Sequence, residues 1–367
     1  MRMKIPILFM VIFFIIGDRG FAEDLPLHEL RLPEGFTVEL FARVPGARQM
    51  APGPEGNLFV GSRAGGKVFL VRDLDLDMKG DEVVEIASGL NNPNGVAFVG
   101  SDLYVAEIHR IIRFPGILSK PLGEMEYIVV NDSLPGDKWH GWKYIRQGPD
   151  GKLYFPVGAP CNVCLRKDPR YASIISMDPD GSDLGIFAEG VRNTVGFDWH
   201  PVTGELWFTD NGRDWLGDDL PPDELNRSWK EGLNYGFPYC HGRNIPDPEF
   251  GSSASCSDFI PPVLELGPHV AALGMRFYRG DQFPGEYRGR ILIAEHGSWN
   301  RTDPIGYRIT MVSLDGNMAV SCETFIEGWL DGNRSWGRPV DIVELADGSI
   351  LISDDTAGAI YRVFYSR

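Results

Sequence analysis

Asp150-Gly151-Lys152-Leu153-Tyr154-Phe155 is a short polar turn that opens directly into an apolar, strand-forming segment. The chain contains six such openings, and the other five lie at residues 55–60, 101–105, 203–208, 288–293 and 347–352. A glycine in five of the six turns allows the positive φ of a tight β-hairpin. The turns recur at intervals of 46, 49, 53, 85 and 59 residues, and repeats of about 40–50 residues with short strands are typical of propeller blades. The sequence therefore predicts an all-β protein, a six-bladed β-propeller.

The repeat occupies almost the whole chain of 367 residues, so residues 23–367 are predicted to form a single propeller domain. Residues 35–42 form a strand-like segment ahead of the first hairpin. A terminal strand often completes the last blade of a propeller, and the segment 360–364 is its expected neighbour. The widest interval predicts a long insertion around residues 210–270, with a capping or functional role.

The N-terminus has the pattern of an export signal over residues 1–22. Arg2 and Lys4 supply positive charge, residues 5–16 are continuously apolar, and small residues precede a cleavage point after Ala22. The alternative is an uncleaved membrane anchor, although this apolar run is short for a bilayer span. We expect cleavage, a periplasmic or secreted location, and no membrane attachment afterwards.

The formal net charge of −16 limits the partners of the protein. An acidic surface repels nucleic acid and anionic lipid, so neither is an expected partner. Acidic exported proteins often bind calcium, and a solvated acidic surface is the alternative explanation.

Five cysteines in an oxidising compartment predict disulfide bonds and leave one thiol over. Cys240 and Cys256 flank a loop rich in glycine, serine and proline, and they are the expected disulfide. Cys161 and Cys164 form a CxxC motif that suits a second disulfide, a redox pair or half of a zinc site. No second CxxC or HxxxH supplies the other zinc ligands.

Several polar residues lie at predicted blade edges. His140 precedes the third hairpin and is a candidate general base or, alternatively, a histidine packed among aromatic rings. Arg192-Asn193 precedes the fourth hairpin and is either an anion-binding pair or a hydrogen-bonding link between blades. Arg301 and Arg338 occupy comparable loops, so three arginines are expected to converge on a polyanionic ligand in the central funnel.

The segment that follows the fourth hairpin is dense in oxygen ligands. Asp210-Asn211-Gly212-Arg213-Asp214 is followed by a second acidic run over residues 218–226. Carboxylates beside glycine and proline suit Ca²⁺, which takes six to eight oxygen ligands. The alternative is a solvated acidic loop.

These residues together resemble the soluble quinoprotein sugar dehydrogenases, and most closely the sorbosone dehydrogenase-like branch. The resemblance extends over about residues 30–365 and is carried by Trp139-His140-Gly141, Gly190-Val191-Arg192-Asn193, Glu224-Leu225-Asn226, Leu233-Asn234-Tyr235-Gly236-Phe237-Pro238, Glu295-His296-Gly297-Ser298-Trp299-Asn300-Arg301 and Gly337-Arg338-Pro339. It implies a six-bladed propeller that binds pyrroloquinoline quinone (PQQ) and Ca²⁺.

The resemblance also implies roles for single residues. His140 matches the base that takes the substrate's hydroxyl proton, while Arg192 and Asn193 match cofactor contacts. Gly212 and Arg213 match positions whose backbone carbonyls hold the calcium ion. Arg301 and Arg338 match basic residues that clamp the cofactor's carboxylates. A metal ion at the quinone oxygens makes the quinone a better electron acceptor.

One position departs from this pattern. The sugar dehydrogenases have Gly-Asp after the third hairpin strand, and that aspartate orients the histidine, whereas this chain has Gly158-Ala159. The sequence predicts an exported quinoprotein that oxidises a sugar, aldose or related polyol or aldehyde and passes electrons to an external acceptor. The alternatives are a calcium-dependent lactone hydrolase on the same type of propeller and a propeller that only binds a ligand.

Overall fold

Six sheets surround a central channel in the computed structural model, which describes residues 25–121 and 126–366. The predicted all-β, six-bladed propeller is confirmed. The described helical elements are single 3₁₀ turns, at Leu27–Glu29, Ile117–Ser119, Gly251–Ser253, Cys256–Asp258 and Gly285–Tyr287. None of the helical turns in the described part of the chain has the length or apolar character needed to cross a bilayer. The export signal predicted at residues 1–22 lies outside the described residues.

The first three blades follow one another along the chain, each starting with the strand nearest the channel. Blade 1 contains Met50–Pro52, Asn57–Val60, Val68–Arg72 and Glu82–Ala87. Blade 2 contains Gly95–Val99, Asp102–Ala106, Ile111–Phe114 and Ile128–Asn131. Blade 3 contains Arg146–Gln147, Leu153–Val157, Ser173–Met177 and Gly185–Glu189, and Leu233–Asn234 adds to its outer edge in parallel.

The last three blades complete the ring. Blade 4 contains Phe197–Trp199, Leu206–Asp210, Pro222–Ser228 and Leu264–Pro268. Blade 5 contains Ala272–Phe277, Ile291–Glu295, Arg308–Asp315 and Met318–Ile326. Blade 6 contains Pro339–Glu344, Ile350–Asp354, Ala359–Tyr365 and Phe36–Arg43. Two small hairpins, Cys240–His241 with Ile245–Pro246 and Leu330–Asp331 with Arg334–Ser335, lie outside the blades.

The ring closes through the two ends of the chain. Phe36–Arg43 pairs antiparallel with Ala359–Tyr365, as the sequence predicts for a terminal strand. The closure joins residues more than 300 positions apart by main-chain hydrogen bonds, and it gives blade 6 its fourth strand.

Apolar side chains fill the space between neighbouring blades and form the core. Between blades 3 and 4, for example, Ile174 packs with Phe197 and Phe208, and all three side chains are fully buried. A smaller cluster of Val195, Leu273 and Val340 joins the inner strands of blades 4, 5 and 6 on the channel axis. Leu273 of this cluster also lines the cavity described below.

The predicted long insertion leaves blade 4, pairs with the outer edge of blade 3 and returns to blade 4. The chain leaves Pro222–Ser228, adds Leu233–Asn234 to blade 3, and returns at Leu264–Pro268. Cys240 and Cys256 are bonded within this segment, which confirms the expected disulfide.

Candidate active site

A cavity of about 240 Å³ lies at one end of the channel and is walled by loops from several blades. Four arginines and three histidines line it: Arg48, Arg63, Arg192, Arg338, His140, His269 and His296. The remaining lining residues are Trp142, Asn193, Asn211, Gly212, Asp214, Asp223, Ala271, Leu273, Gly297, Trp299 and Asn300. Four guanidinium groups and two carboxylates, those of Asp214 and Asp223, line the cavity, so positive charges outnumber negative ones there on a strongly acidic protein.

His140 is buried on this wall with a left-handed backbone conformation, at φ +49°. Its Nδ1 lies 2.8 Å from the Ala159 carbonyl oxygen. Because a carbonyl only accepts hydrogen bonds, Nδ1 carries the proton and Nε2 carries a lone pair. That lone pair accepts a hydrogen bond from the indole of Trp139 at 3.0 Å. The ring is therefore fixed in the tautomer that a proton acceptor requires.

The electrostatic surroundings keep the His140 ring neutral. Burial is the main cause that lowers its pKa well below the usual value, and the positive charges of Arg192 and Arg63 lower the pKa further. The hydrogen bond to Ala159 opposes these effects but is smaller than the effect of burial. A neutral imidazole at physiological pH is able to take a proton from a bound hydroxyl group.

Gly158 and Ala159 stand where the sugar dehydrogenases that this sequence resembles have Gly-Asp, and their main chain orients His140 in place of the aspartate. A Cβ on Gly158 would lie 2.6 Å from the Cβ of His140 and 2.8 Å from its carbonyl oxygen, so only glycine allows this approach. The Ala159 carbonyl accepts a hydrogen bond from His140 Nδ1, and the Ala159 N–H donates to the Arg192 carbonyl at 2.8 Å. Main chain therefore replaces the carboxylate as the group that orients the histidine.

Arg192 and Asn193 lie on the loop that leads into blade 4. Both backbone N–H groups donate to the buried carboxylate of Asp210, at 2.8 and 2.6 Å. The Arg192 guanidinium donates to the carbonyl oxygens of Asn162 and Asn211, at 2.9 and 3.0 Å, and is itself buried. The structure thus shows Arg192 both lining the cavity and linking blades 3 and 4.

Three further arginines line the cavity with different partners. Arg338 donates to the carbonyl oxygens of His296 and Gly297, at 2.9 and 2.7 Å. Arg48 pairs with the carboxylate of Asp355 at 2.9 Å. Arg63 lies 4.0 Å above the Trp142 ring, and burial, followed by the charge of Arg48, lowers its pKa to about 10.

Arg301, predicted to clamp the cofactor's carboxylates, contacts an acidic loop in this structure. Its guanidinium hydrogen-bonds to the carbonyl of Asp218 and lies 3.4 Å from the carboxylate of Asp219. Arg301 is not among the residues that line the cavity. The loop turns at Gly297, where φ is +102°. Trp299 and Asn300 still line the cavity, and the Arg301 side chain faces the acidic loop.

Gly212 and Arg213, the predicted calcium-binding positions, have different surroundings. Gly212 lines the cavity and donates its N–H to Asp223 at 2.8 Å. The Arg213 side chain turns away and forms an ion pair with Asp247, which also accepts from His241 at 2.9 Å. Burial raises the pKa of the Asp223 carboxyl to about 6.

Sequence reasoning missed Arg48, Arg63 and His296. Arg48 lies two residues before the inner strand of blade 1, and Arg338 lies directly before the inner strand of blade 6. Comparison of equivalent blade edges would therefore have identified Arg48. His296 donates from Nε2 to Asp355 at 2.9 Å, and burial lowers its pKa to about 4, so this pair joins a neutral imidazole to a carboxylate.

Two polar atoms on the cavity wall are buried and have no hydrogen-bond partner in the described part of the chain. They are the indole N–H of Trp142 and the side-chain oxygen of Asn300. Buried polar groups are normally paired, and an unpaired one beside a cavity is a candidate contact for a bound water, ion or ligand. The wall therefore offers cations, a free donor and a free acceptor to a polar, anionic molecule.

Comparison with known proteins identifies the family of the chain. A sequence model described as glucose/sorbosone dehydrogenase matches residues 140–362. An uncharacterized protein of Borreliella burgdorferi is 35% identical to this chain over 379 aligned positions, covering 96% of both proteins.

Among solved structures, a calcium structure of the Trichoderma reesei carbohydrate-active enzyme of family AA12 is similar with a TM-score of 0.80. It is 18% identical, with 92% of this chain and 97% of that chain covered. The PQQ-bound aldose sugar dehydrogenase of Streptomyces coelicolor gives a TM-score of 0.66 at 22% identity, covering 91% and 99% of the two chains. On the family match and the close relative, the chain belongs to the glucose/sorbosone dehydrogenase family.

Proposed function

We propose that this protein is an exported, PQQ- and calcium-dependent dehydrogenase that oxidises a sugar, an aldose or a related polyol or aldehyde. One observation carries the proposal: a neutral histidine, His140, whose Nε2 lone pair accepts from the half-exposed Trp139 indole, lies on the wall of a cavity lined by four arginines. Membership of the family and the PQQ named for the Streptomyces relative support it.

The cavity wall fits PQQ in charge and in hydrogen-bonding groups. PQQ is a planar tricarboxylate, and Arg48, Arg63 and Arg338 would hold its carboxylates, with Trp142 donating its unpaired N–H. The backbone carbonyls of the 212–213 segment would hold the calcium ion. Bound PQQ would supply a two-electron acceptor, and calcium would polarise its quinone oxygens.

His140 would take the proton of the substrate hydroxyl at Nε2 while Ala159 holds the proton on Nδ1. The indole of Trp139 now donates to Nε2, and about half of this side chain is exposed. A substrate hydroxyl can therefore displace the indole and donate to the same lone pair. The nearby Arg192 charge lowers the pKa of His140, so the imidazole is neutral before the reaction and has a lone pair for the substrate's proton.

Exposed indole rings near the cavity support a sugar substrate. Trp299 lines the cavity, and its ring meets that of Trp215 edge to face at 5.2 Å. Both side chains are about two-thirds exposed, at 63% and 66%. Sugar rings are amphipathic and pack their C–H faces on aromatic rings, so this pair offers a binding surface outside the reacting position.

Activity of reconstituted protein tests the proposal. Purified protein should oxidise an aldose with an artificial electron acceptor only after PQQ and Ca²⁺ are added. His140→Ala should lower turnover about 10²–10⁴-fold, the usual contribution of a general base, and should still bind PQQ. His28→Ala removes an exposed histidine that does not line the cavity and is the matched control. Near wild-type turnover in His140→Ala would mean that another group takes the proton.

The two disulfides support export. Cys161–Cys164 and Cys240–Cys256 are both bonded, and disulfides persist in oxidising compartments. We infer that residues 1–22 are removed, so N-terminal sequencing of exported protein should begin near residue 23. An intact Met1 would contradict cleavage.

A calcium-dependent lactone hydrolase is a second candidate, because Asn193, Asn211 and Asp214 also line the cavity. Such an enzyme needs amide and carboxylate oxygens around a calcium ion but makes no use of four arginines. Lactone hydrolysis that depends on Ca²⁺ and not on PQQ would support this candidate and contradict the dehydrogenase.

A further inference from the structure

The segment Cys161-Asn162-Val163-Cys164 is the sequence motif that the proposed chemistry leaves without a role. Cys161 and Cys164 form a disulfide, with their Cα atoms 6.2 Å apart. The bond is the one expected of a disulfide or of an oxidised redox pair, and it leaves neither thiol free to bind zinc. The bond closes a small ring that contains Asn162.

Asn162 forms hydrogen bonds with two residues that line the cavity, Arg192 and Asp214. Its main-chain carbonyl accepts from Arg192 Nε at 2.9 Å, and its side-chain oxygen accepts from Arg192 Nη2 at 2.9 Å. The same side-chain oxygen accepts from the Asp214 N–H at 2.8 Å, and the side-chain amide donates to the Asp214 carbonyl at 3.0 Å. These contacts form a four-bond clamp, which we call the Asn162 clamp.

The Asn162 clamp joins separate parts of the site. Asn162 follows the second strand of blade 3, Arg192 precedes the first strand of blade 4, and Asp214 follows the second strand of blade 4. Asp214 belongs to the 211–214 segment, which includes the proposed calcium-binding positions. Ala159, which orients His140, lies only three residues before Asn162 and also hydrogen-bonds to Arg192.

The Cys161–Cys164 disulfide restricts the backbone on which the Asn162 clamp depends. Two acceptor atoms of Asn162, one on the main chain and one on the side chain, must face the same guanidinium. Both are aligned only when the backbone of residue 162 is fixed, and closing a short ring restricts that backbone. A preorganised guanidinium and loop bind a ligand without a further ordering cost.

We propose that Asn162, held in the Cys161–Cys164 ring, is a positioning residue that sets Arg192 and the 211–214 segment for cofactor and calcium binding. This inference rests on the proposed function for the identity of the ligands. The Asn162 clamp is formed by protein atoms only, so it can be measured in the ligand-free protein.

Four variants test the clamp. Asn162→Ala removes the side-chain contacts, and Asn162→Asp keeps the acceptors for Arg192 and for the Asp214 N–H. Cys161→Ser/Cys164→Ser opens the ring. Cys240→Ser/Cys256→Ser removes the other disulfide, which lies in the insertion, and is the matched control for loss of a disulfide.

The first readout uses protein without ligands. In Asn162→Ala the Asp214 amide should exchange with solvent at least about tenfold faster, because its acceptor is lost. The His140 ring should titrate at a higher pH by NMR, because the Arg192 guanidinium loses one of its fixed partners and its positive charge is held less firmly near the ring. A contribution of Asn162 to folding alone would leave the His140 titration unchanged.

The second readout is ligand binding by titration calorimetry with CaCl₂ and with PQQ. Loss of a residue that orients binding groups typically weakens binding about 10–100-fold, which we expect for Asn162→Ala and for Cys161→Ser/Cys164→Ser. Asn162→Asp should restore most of the affinity, and the Cys240→Ser/Cys256→Ser control should bind as wild type does. Unchanged affinity in Asn162→Ala, or an unchanged Asp214 exchange rate, would overturn the proposal. Failure of the wild-type protein to bind PQQ and Ca²⁺ would instead refute the proposed function.

Discussion

Lys143→Met should stabilise the protein, and more so at neutral than at alkaline pH. Lys143 lies between His140 and the inner strand of blade 3 and is 1% exposed. Its ammonium group donates to the Gly141 carbonyl at 3.0 Å, and no carboxylate pairs with it in the described part of the chain. Burial lowers its pKa from 10.5 to about 7.

The lowered pKa gives the size and sign of the effect. The unfolded chain holds a proton on this lysine up to about pH 10, whereas the folded protein releases it near pH 7, so stability rises with pH between these values. At about 1.4 kcal/mol per pKa unit, the penalty is about 4 kcal/mol at pH 7 and about 2 kcal/mol at pH 9. Methionine loses one hydrogen bond, worth about 1 kcal/mol, so the net gain is about 3 kcal/mol at pH 7 and about 1 kcal/mol at pH 9.

Urea unfolding followed by tryptophan fluorescence at pH 7 and pH 9 measures this difference. Lys79→Met removes an exposed lysine and controls for the loss of one positive charge. An equal change in the free energy of unfolding at both pH values would refute the argument. A loss of stability at pH 7 would show that the hydrogen bond to Gly141 outweighs the burial of charge.

Three further predictions follow from single contacts. Cys240→Ser/Cys256→Ser, which opens a loop with a sequence separation of 16, should lower the free energy of unfolding by about 3 kcal/mol in urea titrations. Burial lowers the pKa of His296 to about 4, so stability present above pH 6.5 should fall by about 3 kcal/mol as pH drops to 4, and His296→Gln should remove that loss in the same assay. Gly158→Ala places a Cβ 2.6 Å from His140 Cβ and should lower turnover about 10²-fold while PQQ still binds, so unchanged turnover would contradict the contact.

The architecture was predictable because its signals are local. Each turn glycine, such as Gly151 or Gly204, joins the two innermost strands of a blade, and hairpin turns depend on a few adjacent residues. The link from Pro222–Ser228 through Leu233–Asn234 to blade 3 was not predictable, because a two-residue strand in parallel pairing has no sequence pattern of its own. Its position depends on packing against a distant blade.

The site was predictable where a side chain lies on the loop that leads into the inner strand of a blade. His140, Arg192 and Arg338 meet at the cavity because the ring geometry brings equivalent blade edges together. Arg301 does not meet them, because its loop has already turned at Gly297 and its guanidinium pairs with an acidic loop. The direction of a side chain beyond such a turn depends on tertiary contacts that spacing does not encode.

The replacement of a carboxylate by main chain was also outside the reach of the sequence. The family resemblance implies an aspartate where Ala159 stands, and it leaves open how His140 is oriented without that carboxylate. The Ala159 carbonyl takes this role at 2.8 Å because Gly158 lets the two segments approach. Backbone groups are present at every position, so only the fold reveals which of them faces a given side chain.

The most direct test of the central claim is titration of PQQ into the ligand-free protein in the presence of Ca²⁺, followed by absorbance and calorimetry. The cavity of four arginines predicts one PQQ bound per chain, with binding strongly weakened in Arg338→Ala. Arg301→Ala is the matched control, because the structure keeps that guanidinium on Asp218 and Asp219 and outside the cavity wall. No PQQ binding by the wild-type protein, or equal weakening in both variants, would contradict the assignment of this cavity as the cofactor site.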